Sequence, residues 1–126
     1  YTLTQVPTKV ASPTPSTSYI IQTQDDLCST NISEGLLMIY VSDASQKAVP
    51  GVEVIVSWDG NEEHFFTGLK PELGDGYADF SMDPSRSYSA RLVNGGAGTF
   101  NLSAPPCQDD EGNHYWGSIR LRFQEP

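Results

Sequence analysis

The chain has 126 residues, with 16 acidic against 7 basic side chains, a formal net charge of −9 and 2 cysteines. That length suits one domain, able to bury roughly two thirds of the surface its unfolded form exposes. The acidic balance argues against nucleic acid and anionic membranes as partners, and no apolar run nears the ~18 residues of a membrane-crossing helix, so no membrane insertion is expected.

Residues 1–18, YTLTQVPTKVASPTPSTS, hold three prolines, eight serines or threonines and one charge, that of Lys9. Such a stretch cannot nucleate a core and favours extended conformations, so we read it as an arm or linker of up to about 60 Å preceding a domain over 19–126. Two uses are open: a stalk, or an arm whose Tyr1, Leu3, Val6 and Val10 lie down as a strand on another subunit. Because the chain begins with Tyr1, the precursor is expected to be longer.

From Tyr19 onward strand signals recur at short spacing: Tyr19 to Thr23, Leu36 to Ser42, Val52 to Trp58, Glu62 to Thr67, Tyr77 to Met82, Ser87 to Val93 and Ser118 to Phe123. Turn-forming residues separate them, which predicts an all-β fold: an antiparallel seven-stranded Ig-like or transthyretin-like β-sandwich with an extended N-terminal arm. The strongest signal runs from Val52 to Trp58. There Val52, Val54, Val56 and Trp58 alternate with Glu53, Ile55 and Ser57, and Asp59-Gly60-Asn61 supplies a hairpin turn. Alternation also sets Ala78, Phe80 and Met82, then Tyr88, Ala90 and Leu92, then Ile119, Leu121 and Phe123 on core faces. No helix is expected beyond one turn near Lys70 to Leu73. The strand at Leu36 to Val41 is apolar on both faces. Besides Leu37, Ile39 and Val41, it carries Leu36, Met38 and Tyr40, which need cover from the strand's central position, a loop, the arm or a neighbouring subunit.

Cys28 and Cys107 lie 79 positions apart with no second Cys or His at metal-ligand spacing, and we read them as a disulfide rather than as buried thiols or a metal site. Closing so long a loop restricts the unfolded chain by about 4–5 kcal/mol in the chain-entropy picture. An oxidising, secreted or cell-surface location follows.

The segment VSDASQKAVPGVEVIVSW (41–58), followed by GDGYADFSM (74–82), resembles the carboxypeptidase-regulatory-like or transthyretin-like β-sandwich modules of secreted bacterial surface proteins. The matching residues are Asp43, Pro50-Gly51, Val52 to Val56 and Asp75-Gly76-Tyr77, with Gly51 and Gly76 expected to permit sharp turns. The resemblance covers residues 36–93 and implies a non-catalytic accessory or structural module, with no active-site residue to carry over.

Chemistry is sparse. There is no G-x-S-x-G elbow, only His64 and His114 could act as general bases, and Asn94-Gly-Gly-Ala-Gly98 lacks the Lys-Ser/Thr ending of a phosphate loop. No enzyme activity and no cofactor are expected. A structural Ca²⁺ would draw on Asp43, Asp59, Asp75, Asp79 and Asp83, or on Asp109, Asp110 and Glu111, although none of these fits an EF-hand. Tyr115-Trp116 is the best cluster for stacking on a glycan, with at most one of the pair free because neighbours on a strand point oppositely. The expected role is a non-enzymatic extracellular structural module: a spacer, an adhesive domain or a subunit of a surface filament or array. Its partners would be copies of itself or neighbouring domains of a surface protein. The alternative is a carbohydrate-binding module attached by a linker to a secreted enzyme.

Overall fold

A computed structural model describes residues 19–93 and 98–126. The arm over 1–18, with Tyr1, Leu3, Val6 and Val10, and most of the glycine-rich stretch at 94–97 lie outside the described residues. Among these residues ten strands form: β1 (Ile20–Leu27), β2 (Leu36–Ser42), β3 (Glu53–Trp58), β4 (Asn61–Phe66), β5 (Tyr77–Ser81), β6 (Tyr88–Leu92), β7 (Thr99–Leu102), β8 (Pro106–Gln108), β9 (His114–Trp116) and β10 (Ser118–Gln124). They build one four-stranded sheet in the order β1-β10-β2-β5, a second in the order β4-β3-β6-β7, and a two-stranded ribbon of β8 and β9. No helix occurs among the described residues; Lys70 to Gly74 makes two successive turns instead, through Leu73 N–H to Lys70 O and Gly74 N–H to Pro71 O.

The expected sandwich is present, with two corrections. It has ten strands, not seven, because β7, β8 and β9 carry no readable alternation. β7 has its core contacts only at its ends, with a register shift against β6, and the other two are three residues long. Nor is the fold wholly antiparallel, since β10 pairs with β2 in parallel, Leu121 opposite Ile39. Strands so far apart in sequence have no hairpin to dictate direction. β1 also runs on to Leu27, past the expected end at Thr23; as an edge strand it tolerates the exposed polar run Gln22 to Gln24.

The two large sheets share one core. Leu37, Ile39 and Val41 of β2 and Ile119, Leu121 and Phe123 of β10 meet Val54, Val56, Tyr88, Ala90 and Leu92 of the second sheet. Each such aliphatic or aromatic side chain stabilises the fold by about 1.5–3 kcal/mol on burial. At one end Phe80 bridges the sheets, its ring 5.6 Å from Trp58, 5.5 Å from Tyr88 and 6.1 Å from Phe65. The β3–β4 hairpin closes through Asp59 and Gly60, whose φ values of 45° and 79° give the two-residue turn that matches strand twist. Ile55, on the outward face of β3, is nonetheless buried, between its register partners His64 and Arg91.

Of the resembling segment, Asp43 holds a turn by accepting the Ser45 and Lys47 N–H groups, and Gly51 adopts φ 76°. Gly76 lies in the expected turn, closed by Tyr77 N–H to Gly74 O, but glycine is needed there for a different reason. The left-handed conformation falls to Gly74, while Gly76 lets two backbones meet: a Cβ there would run into the Val41 carbonyl oxygen and lie 3.1 Å from the Val49 nitrogen. Gly76→Ala should therefore destabilise the domain by about 2–4 kcal/mol, the cost of forcing packed backbone apart. Gly60→Ala, which meets nothing within 4 Å, should lose only about 1 kcal/mol from its φ. Urea unfolding midpoints of the two variants check the contrast, and equal losses would contradict it.

Candidate functional site

Cys28 directly follows β1, Cys107 sits mid-strand in β8, and the two form a disulfide with Cα atoms 5.6 Å apart. Gly117 makes room for it, since a Cβ there would stand 2.6 Å from Cys107 Sγ and 2.6 Å from Leu27 O. The surrounding loop is fastened by hydrogen bonds: Gly117 N–H to Pro105 O at 2.7 Å, Gly35 N–H to Gly117 O at 3.0 Å, and Ser118 Oγ donating to Ser33 O while accepting from Leu36 N–H. Ser118 is buried, so its hydroxyl has to be satisfied internally. The clamp thus ties the first strand to the ribbon at the far end of the chain.

The ribbon pairs Pro106 with Trp116 and Cys107 with Tyr115. Beside it lies a groove of about 380 Å³ lined by Glu34, Pro106, His114, Tyr115 and Trp116. Trp116 is 41 % exposed, and its backbone N–H donates to Glu34 Oε2 at 2.7 Å, which holds that carboxylate in the same groove as the indole. Tyr115 is half-buried, opposite Cys107 in the ribbon.

Leu36, Met38 and Tyr40 lie on the outer face of the first sheet, where β2 is an inner strand. Met38 is buried, opposite Arg120 on one side and Asp79 on the other. Tyr40 is half-buried, with the Tyr77 ring edge-on at 5.2 Å and the Arg122 guanidinium carbon 5.1 Å from its centroid. The aliphatic stems of such arginines cover apolar surface while their charged heads stay wet. Burial pushes the Tyr77 hydroxyl up, and its hydrogen bond to Asp79 at 2.9 Å adds to that. Arg122 and the glutamines around Tyr40 bear no mark in sequence, because pairing between strands, not spacing along one, brings them together.

The carboxylates mostly serve their own loops. Asp83 accepts from Ser85 N–H and Oγ–H, and Asp109 from the backbone of Glu111 and Asn113; these bonds hold both carboxyls below the usual range. Asp79 pairs with Lys70 at 2.9 Å. Asp59 sits in the β3–β4 turn, and Asp75, Asp110 and Glu111 are exposed. Among the described residues no three His, Cys, Asp or Glu side chains gather at metal-binding distance. On the second sheet His64 bridges Glu53 and Glu62, its ring nitrogens 2.5 Å and 3.0 Å from their oxygens, and Glu62 also meets Arg91 at 3.4 Å.

No family model and no curated protein matches the chain. Among solved structures, the pilus adhesin SpaC from Lactobacillus rhamnosus GG aligns with a TM-score of 0.42 and 9 % identity, over 94 % of this chain and 16 % of that one.

The hydrogen bonds that its ring donates to Glu53, first, and Glu62 hold the His64 imidazole above its ordinary value of 6.5. His64 should therefore titrate above 6.5 by NMR, Glu53→Gln should bring it back further than Glu62→Gln does, and a midpoint at or below 6.5 would contradict the bridge. Since the raised group is the base, its stabilising share is present below about pH 6.5 and lost as pH rises through the folded-state value. Glu62 is lowered by the same partner, so its share disappears in the opposite direction, as pH falls through its own depressed value.

Proposed function

We propose that this chain is a non-enzymatic extracellular structural module, a spacer, adhesive domain or subunit of a surface filament or array, with copies of itself or neighbouring domains as partners. One observation carries the reading: the first and last strands of the sandwich pair side by side, Ile20 opposite Gln124, and the disulfide sits just past the far end of that pairing. Tension applied to the two ends would open the β1–β10 ladder one hydrogen-bonded pair at a time, a weak geometry in itself. Opening stops at Cys28, because the bond to Cys107 keeps everything between them in a closed ring. A disulfide of this kind also points to an oxidising location outside the cell. The Thr/Ser/Pro-rich arm supports the same role as a tether, or as a strand laid on a neighbour's open edge.

The alternative, a carbohydrate-binding module, draws on the ribbon groove. An exposed indole beside a fixed Glu34 carboxylate suits a sugar ring, whose C–H face stacks on the aromatic while its hydroxyls find the acid. Trp116→Ala would abolish glycan-array binding under that reading and leave assembly untouched under the first.

Single-molecule stretching between residues 19 and 126 tests the mechanical reading. Oxidised protein should lengthen by roughly 100 Å, the reach of the segments outside the ring, and reduced protein by roughly 370 Å, at about 3.5 Å per residue. Equal extensions would overturn it.

A further inference from the structure

We infer that the outer face of the first sheet holds a binding pocket for an acidic sugar, with Arg122 as the group that takes its carboxylate. A cavity of about 340 Å³ opens there, lined among others by Gln22, Tyr40, Ser42, Gln46, Arg122 and Gln124. It falls within the size range of small-ligand sites, roughly 300–1,000 Å³.

Its charge is the opposite of its surroundings. The chain carries 16 acids against 7 bases, yet no Asp or Glu lines this cavity. Lys70, Arg91 and Arg120 each pair with a carboxylate, whereas Arg122 makes no ion pair among the described residues. It is held instead over the Tyr40 ring at 5.1 Å, and packing on a ring engages none of the guanidinium's N–H donors. The planar fork stays free for a two-pronged contact with a carboxylate, a geometry that lysine lacks.

Around that cation stand three primary amides and the hydroxyl-bearing Tyr40, Ser42 and Tyr77, groups that both donate and accept and so suit vicinal sugar hydroxyls. Two of the amides are placed by backbone irregularities. Gln22 is the residue skipped where the β1–β10 register shifts between Ile21 and Thr23, and Gln46 takes φ 67° in the turn that Asp43 fastens. Bulges and left-handed residues of this kind re-aim side chains. A peptide fits less well, because β10 and β2 are inner strands whose backbone groups are already paired and offer no ladder to extend. The pocket shares no lining residue with the Trp116 groove or the disulfide, so it stands or falls independently of the two readings above.

Titration of the full chain with tetragalacturonate, followed by calorimetry and by NMR of side-chain amides, tests the assignment. We expect saturable binding that shifts the Gln22, Gln46 and Gln124 amide signals, with the neutral galactotetraose bound at least about tenfold more weakly. Arg122→Gln should weaken tetragalacturonate about tenfold or more and Arg122→Lys by less, with only a small drop in urea midpoint from the lost Tyr40 contact. If Arg122→Gln does not fold, Gln22→Ala on the exposed edge strand takes its place, with a several-fold loss expected. No binding of tetragalacturonate, equal binding of the neutral sugar, or indifference to these substitutions would overturn the proposal. Arg122-dependent capture of a peptide with a free C-terminal carboxylate, in place of the uronate, would overturn the sugar and assign the pocket to a peptide.

Discussion

The insertion of β10 between β1 and β2 is the contact on which the remainder of the molecule rests. It places Ile119, Leu121 and Phe123 in the core, and it turns β2 from a possible edge into an inner strand. Through Arg120 and Arg122 it also supplies the charged side chains that stand over the outward face of β2. Without β10 the first sheet would fall into two pieces, since β1 touches the sheet only through it. The disulfide reinforces the same closure from outside, fastening the end of β1 to the ribbon that immediately precedes β10.

A second constraint is how an acidic chain keeps its loops in order. Asp43, Asp83 and Asp109 each turn back to accept backbone N–H groups two to four residues ahead, so much of the negative charge is absorbed by turns. Other carboxylates meet the few bases: Asp25 with Arg120, Asp79 with Lys70, Glu62 with Arg91. These exposed pairs contribute little stability individually, and their value lies in shielding apolar residues beneath them, as over Ile55. Arg122, like Lys47 and Arg86, makes no ion pair among the described residues, but it alone of the three lines a cavity free of Asp and Glu.

Much of the core was legible because alternation states it directly: Val54 and Val56, Phe80, Tyr88 and Leu92, Leu121 and Phe123 all lie inside. The Asp59-Gly60 turn was legible for a local reason, since few residue pairs tolerate two positive φ values in succession. The cysteines were legible because the chain holds only two. What stayed hidden depends on distance along the chain. Three-residue strands contain too little pattern to show a period, parallel pairing has no turn to announce it, and the grouping of Gln22, Tyr40 and Arg122 comes from three strands meeting side by side. The turn at Gly76 is legible in the sequence, but the need for glycine there is not, because close approach of another backbone cannot be read from the residue's neighbours.

The adjacency of Ile20 and Gln124 bears on how the molecule would be presented. Polypeptide attached before β1 and after β10 arrives at the same pole of the sandwich, so segments joined to the module in a longer protein would start out close together until load draws them apart. The other end of that ladder, where Leu27 meets Ser118, carries Glu34 and Trp116 beside the sulfur bridge, so that surface stays clear of neighbouring chain and open to whatever surrounds it.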